Sequence, residues 1–276
     1  MSLDHLWANL AKQAHSKVEG IACQTNQVGP CYNGASMDDL PLMRLGLADL
    51  GLTLSPHQMD QFQCYYCELV AWNQRMNLTS VTDYDGVQVR HFLDSLTAAP
   101  YLGDEARCNG NLLDMGAGAG FPSVPLKIAF PRLRLVLMDS VGKKTSFLKH
   151  LTQELGLSEV EVYTGRAEDL AVGPPLRETF DAVVSRGVAA MRVLMELTLP
   201  FCRTGGTVLT WKKGELEPEI SASFHAMDVL GGKLREVAEV DAEGLRDGRV
   251  LVLVDKLKAS PAKFPRRPGL PQKRPL

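Results

Sequence analysis

Hydrophobic positions change their period once along the chain, and the change divides it. Residues 1–37 hold no sustained spacing and carry Gly20, Gly29, Pro30 and Gly34 among small polar residues, which predicts a loosely packed or disordered extension. From Asp38 the apolar residues Leu40, Met43, Leu47 and Leu50 fall at helical spacing and stop at Gly51. Ser55, Pro56 and Gln58 then read as a helix start: a hydroxyl cap, a proline that needs no donor, and a side chain that reaches back to the cap. The helix they open has the stripe Met59, Phe62, Tyr66, Leu69 and Val70 and is expected to end near Arg75. After a turn at Asn77-Leu78-Thr79-Ser80, a third helix is expected from about Asp85 to Ala99, closed by Pro100. Together these segments predict a helical subdomain over residues 38–105.

Beyond Gly110 short β-branched or apolar runs alternate with helical patterns. Strands are expected at residues 111–115, 134–139, 159–163, 180–185 and 206–211, with helices at about 122–129, 142–155, 191–202 and 217–230. Two last strands, about 234–240 and 249–254, meet through Asp247-Gly248 as an antiparallel hairpin at the sheet edge. The βαβ repetition predicts an α/β domain over residues 106–255, with a mostly parallel seven-stranded sheet covered on both faces. No internal repeat of fixed period appears, which excludes a solenoid.

Composition narrows the class. A chain of 276 residues buries roughly 75% of its unfolded surface, so six scattered cysteines are not needed as staples, and they suit a reducing cytoplasm. No apolar run approaches the ~20 residues of a membrane span, and no signal-peptide pattern opens the chain. Residues 256–276 hold seven basic side chains and no acid, which leaves 32 acidic against 23 basic residues elsewhere. That is a basic tail on an acidic body, either a nucleic-acid arm or a solvated terminus. Cys64-x-x-Cys67 stands alone inside a predicted helix, so no metal site is expected.

The chemistry gathers after the first strand, in Asp114-Met115-Gly116-Ala117-Gly118-Ala119-Gly120-Phe121-Pro122. Glycines at alternate positions let backbone turn tightly and approach a ligand, with the N–H groups of the next helix close by. Asp139, at the end of the second strand, can take both hydroxyls of a ribose. The Gly-x-Gly-x-Gly spacing differs from the Gly-x-Gly-x-x-Gly that wraps a pyrophosphate, which shifts the reading from a dinucleotide toward S-adenosylmethionine. None of the six tyrosines has a lysine four residues on, as a short-chain dehydrogenase requires. In an open parallel sheet the ligand lies at the carboxyl ends of the strands, so Asp114–Gly116, Asp139-Ser140, Gly165–Glu168, Ser185–Gly187 and Trp211–Gly214 should converge. Lys143-Lys144 and Lys212-Lys213 add positive charge, as an RNA-backbone footprint or as solvated faces.

Asn77–Ser80, Arg90-His91-Phe92-Leu93-Asp94-Ser95-Leu96, the glycine loop, Met138–Ser140, Lys143-Lys144, Arg166–Glu168, Ser185-Arg186 and the closing Phe264-Pro265-Arg266-Arg267-Pro268-Gly269 occur in order. In this the chain resembles, from about Met43 onward, the bacterial 16S ribosomal RNA guanine-N7 methyltransferases, also called glucose-inhibited division protein B. The resemblance implies a class I, Rossmann-like methyltransferase fold. It implies donor contacts at Gly116, Gly118, Gly120, Phe121, Asp139, Ser140, Ala167, Glu168 and Arg186, with Asp139 on the ribose and Ala167-Glu168 on the adenine edge. Arg186, Arg90 and His91 would orient the base, with surface helix positions as the alternative for the last two. Lys143, Lys144, Lys212, Lys213, Arg266 and Arg267 would contact RNA. The implied target is the 530-loop region of that RNA, nucleotide 527 in its standard numbering, in naked RNA or the small subunit, acted on by a cytoplasmic monomer without metal. Guanine N7 has a free lone pair and no proton, so no general base is expected. Ser123 stands where the family has a further glycine. A small-molecule methyltransferase and a non-catalytic ribosome-binding factor of the same fold are the competing readings.

Overall fold

The computed structural model describes residues 40–242 and 244–276, so the extension expected over residues 1–37 lies outside the described residues. Helix α1 spans Pro41–Asp49 and α2 spans Pro56–Asn73. The expected cap of α2 is present: Gln58 N donates to Ser55 Oγ at 3.3 Å and Ser55 N donates to Gln58 Oε1 at 2.8 Å. Gln58 Nε2 also donates to the carbonyls of Ile128 and Ala129 at 2.7 and 3.1 Å. Tyr65, not the expected Tyr66, faces inward from α2 beside Met59, Phe62 and Leu69. Its ring stacks on Phe121 at 5.1 Å and its hydroxyl donates to Ala119 O at 2.6 Å, contacts available only on that side of the helix.

The third helical segment is broken into α3 (Tyr84–Val87), a π-helical stretch (Gln88–Leu93) and α4 (Asp94–Leu96). A π stretch widens the ladder and shifts the faces on either side of it, as such insertions do near functional sites. Short α5 (Asp104–Asn109) leads into the sheet.

Parallel strands β1 (Asn111–Met115), β2 (Arg134–Asp139), β3 (Val160–Thr164), β4 (Phe180–Arg186) and β5 (Cys202–Lys213) are followed by the antiparallel hairpin β6 (Gly232–Glu239) and β7 (Arg249–Lys256). Their order is β3-β2-β1-β4-β5-β7-β6, the class I methyltransferase sheet that the resemblance implies. The connecting helices are α6 (Ser123–Ala129), α7 (Gly142–Glu154), α8 (Ala167–Leu170), α9 (Met191–Thr198) and α10 (Glu217–Leu230). Alternation along the strands builds two cores. Leu112, Leu135, Leu137 and Val184 join α2, α6, α7 and the π stretch, whereas Leu113, Met138, Val183 and Val208 join α9 and α10. The helical segment before the sheet therefore shares one of the sheet's cores, and each fully buried leucine there contributes about 1.5–3 kcal/mol.

Several expected boundaries move, three of them for a local reason. α9 stops at Thr198 instead of running to Cys202, because Leu199 precedes Pro200, and β5 begins earlier, at Cys202. β3 starts at Val160 because Glu159 is left-handed, with φ of 54°.

The basic tail is corrected more substantially: it is docked, not free. Lys256 is fully buried and donates to Leu199 O at 2.7 Å. Arg177 donates to the carbonyls of Ser260 and Phe264 at 2.9 and 2.8 Å. Arg266 grips fully buried Glu196 with Nε and Nη2, at 2.8 and 2.6 Å. A buried carboxylate without a partner is costly, and among the described residues the returning tail supplies the one for Glu196. Helix α11 (Leu270–Lys273) then lies against α9, and Arg192 donates to Leu276 O at 2.7 Å.

Candidate active site

The carboxyl ends of β1 to β4 open on a cavity of about 530 Å³, ample for a small-molecule ligand. Backbone hydrogen bonds fix the glycine loop above it: Gly116 N and Ala117 N both donate to Met138 O, at 2.9 and 3.0 Å. Gly118 N donates to Asp139 Oδ2 at 3.0 Å, and Val141 N to Oδ1 at 2.9 Å. Asp139 thus lines the cavity with each carboxylate oxygen already holding one donor, and a carboxylate has room for about two more. Lys144 Nζ stands 3.8 Å from Asp139.

The N-terminus of α6 is not an open anion site. Ser123 N and Oγ both donate to Asp114 Oδ2, at 3.3 and 2.6 Å, and Pro122 has no donor. Ser123, the departure from the family pattern, therefore serves the buried Asp114 carboxylate, whose Oδ1 has no partner among the described residues. Burial pushes the Asp114 carboxyl up to about 7, against the lowering effect of the Ser123 bonds. With these donors consumed a pyrophosphate has no cradle here, in keeping with the loop spacing.

Of the residues singled out from sequence, Gly116, Gly118, Phe121, Asp139, Ser140, Ala167, Glu168, Arg186, His91 and Lys144 line the cavity. Gly120 does not. Its φ is 94°, and a Cβ there would meet Tyr65 Oη at 2.7 Å and Val124 Cγ2 at 2.8 Å, so it is a packing glycine that lets α2 press on the loop. Arg90 contributes its carbonyl, which accepts from Arg186 Nη1 at 3.2 Å, while its side chain is exposed. Lys143 and Arg267 are exposed outside the cavity. Lys212 is tied to Glu219 at 2.6 Å and to Ala189 O, and Lys213 to Asp247 at 2.8 Å. Lys212 and Arg266 thus hold structural pairs.

Arg186 is the most constrained charge in the site. It donates to Asp94 Oδ2 and meets His91 Nδ1 at 3.2 Å, with its guanidinium 5.2 Å from the Phe121 ring centre. His91 stacks on Phe121 at 4.4 Å. Burial and the neighbouring Arg186 charge push the imidazole down to about 3, so the ring is neutral. Two groups of lining residues fall in or beside motifs quoted for the resemblance but were given no role there. Gly269, Pro271 and Gln272 close one side, and Gly269 N donates to Glu168 Oε1 at 3.0 Å. Leu78 and Thr79 come from the turn after α2, whose polar run was the available signal.

Among the described residues, no group of three or more His, Cys, Asp and Glu could hold a metal, and no helix is long and apolar enough to cross a membrane. The family model for rRNA small subunit methyltransferase G, GidB, matches residues 58–247. Ribosomal RNA small subunit methyltransferase G of Dehalococcoides mccartyi (strain CBDB1) is 48% identical over 233 residues, which are 84% of this chain and 97% of that protein. The protein of the same name from Exiguobacterium sibiricum is 46% identical over 230 residues, 83% of this chain and 96% of its own. A solved structure of a MtNAS mutant shares the fold at 16% identity, covering 79% of this chain and 76% of that one with a TM-score of 0.50. On the extent of these matches, the chain belongs to the rRNA small subunit methyltransferase G family.

Proposed function

We propose that this protein transfers the methyl group of S-adenosylmethionine to N7 of a guanine in the 530-loop region of 16S ribosomal RNA. One observation carries the reading: in a member of that family, the glycine loop, Asp139, Glu168 and Arg186 line one cavity at the strand ends. The donor set suits an adenosyl ligand. Asp139 has acceptor positions left for the two ribose hydroxyls. Glu168, with Oε1 taken by Gly269 N, keeps Oε2 for the adenine amino group. Space around Gly118, where a Cβ would meet only the Gly116 carbonyl at 3.9 Å, lets ligand approach the backbone.

When bound, S-adenosylmethionine supplies an electrophilic methyl group. The protein's part is to hold and orient. N7 of guanine needs no deprotonation, and His91, neutral by burial, is not called on as a base. Arg186, fixed by Asp94, keeps a defined positive edge in the cavity, and Phe121 with His91 offers an aromatic wall to a base. Orientation and exclusion of water then supply the rate enhancement. Exposed Lys143, Arg267 and Arg90 are the proposed RNA-backbone contacts, with Lys144 beside the cavity.

Incubation with labelled S-adenosylmethionine and either naked 16S RNA or small subunits from cells lacking this modification tests the reading. Label at guanine N7, located by chemical cleavage at the methylated base, is expected. Transfer to neither substrate overturns it.

A further inference from the structure

Thr79 and His91 both line the cavity, and Thr79 Oγ1 lies 2.8 Å from His91 Nε2. The direction of that hydrogen bond follows from the other ring nitrogen. Nδ1 meets Arg186 Nη2 at 3.2 Å, and a guanidinium only donates, with hydrogens fixed in its plane. Nδ1 therefore presents its lone pair. The Arg90 carbonyl also lies 3.1 Å from Nδ1 and has a lone pair left beside its bond from Arg186 Nη1 at 3.2 Å, so the tautomer is assigned from the guanidinium, which toward Nδ1 can act only as a donor. On that assignment the proton of the neutral ring sits on Nε2 and is donated to Thr79 Oγ1.

Val81 N donates to the same Oγ1 at 3.1 Å. A hydroxyl oxygen accepts about two hydrogen bonds, so both acceptor positions are filled and the Thr79 hydrogen is left to donate. The turn that carries it is pinned, since Asn73 Oδ1 accepts from Leu78 N at 2.8 Å and Thr79 N at 3.0 Å. From Arg186 through His91 to Thr79, polarity runs one way and ends in a donor at the cavity wall.

We infer that the Thr79 hydroxyl reads the acceptor base by donating to the carbonyl oxygen next to its N7, and that His91 orients that hydroxyl. The inference rests on the proposed function and adds a specificity residue to it. Guanine presents O6 beside N7, where adenine presents an amino group. A committed donor pairs with the first and opposes the second.

The test compares the full-length wild type with Thr79→Val and Thr79→Ser, in single-turnover methyl transfer to small subunits. The RNA carries guanine or 2,6-diaminopurine at the target; the latter has an amino group beside N7. Thr79→Val is expected to lose about tenfold or more on guanine and nothing on diaminopurine. Thr79→Ser should restore the guanine rate, and calorimetric affinity for S-adenosylmethionine should be unchanged in both variants. A Thr79→Val rate equal to wild type on guanine, or an equal fall on both bases, overturns the inference alone. Failure of the wild type to methylate guanine overturns the proposed function with it.

Discussion

Arg186 Nη1 lies 2.6 Å from Asp94 Oδ2, joining the end of β4 to the start of α4 across the cavity rim. Asp94 is 4% exposed, and its other oxygen holds Arg249 Nη1 at 2.7 Å. Its carbonyl accepts from Trp211 Nε1 at 2.8 Å. One carboxylate thus locks the helical segment, the cavity arginine and the start of β7 together. Asp94→Asn leaves the part-buried Arg186 short of countercharge, whereas Arg249 keeps Asp247 at 2.7 Å, and is expected to cost about 3 kcal/mol of stability. Denaturant unfolding measures this, and a loss under 1 kcal/mol would contradict the arrangement.

Asp139 holds the loop through Gly118 N and Val141 N while facing the cavity. Asp139→Ala should weaken binding of S-adenosylmethionine at least about tenfold, a change of roughly 1.4 kcal/mol. Calorimetry on the purified variant reads it directly, and an unchanged dissociation constant would remove Asp139 from the donor site.

Gly120 is held at positive φ against Tyr65 and Val124. Gly120→Ala adds both backbone strain and a collision with α2, with an expected loss of about 2–4 kcal/mol. Tyr65→Phe, which removes the hydroxyl that meets the new methyl, should recover part of that loss in the double variant. Strict additivity of the two changes in thermal unfolding would argue against the contact.

Asp114 titrates at about 7 in the folded protein and near its ordinary value of 3.8 when unfolded. The folded state therefore binds the proton more tightly. The stability this group contributes is complete below about pH 4 and declines as pH rises to about 7, by up to about 4 kcal/mol. Asp114→Asn removes that decline while leaving an acceptor for Ser123. The wild-type minus Asp114→Asn stability difference, followed by urea unfolding from pH 4 to 8, should fall with pH and level off; a flat difference would refute the raised value.

What could be read from the chain was what local chemistry controls. β1, β2 and α10 lie where the apolar runs and flanking turns put them, because each is bounded by residues that end it. The Pro200 signal was equally local and sets the end of α9. The π stretch was hidden, since its widened step, from buried Val87 to buried Phe92, reads in the chain as an irregular apolar spacing and not as a defined element. So was the partnership of Glu196 with Arg266, 70 residues apart, because an acid on an apolar helix does not announce which base will reach it. Asp139 and the glycine loop were legible as a strand-end motif. Thr79 was not, because its role depends on Arg186 and His91 being brought against it by the tertiary fold.

The wall at Gly269, Pro271 and Gln272 follows the seventh strand in the order of synthesis. A chain ending at that strand would hold all seven strands, yet it would lack Phe264 in the second core, the Arg266 partner of Glu196 and one flank of the binding cleft. The same last segment therefore completes the framework and the cleft together, so that loss of the tail is felt in stability as well as in the grip on a nucleoside.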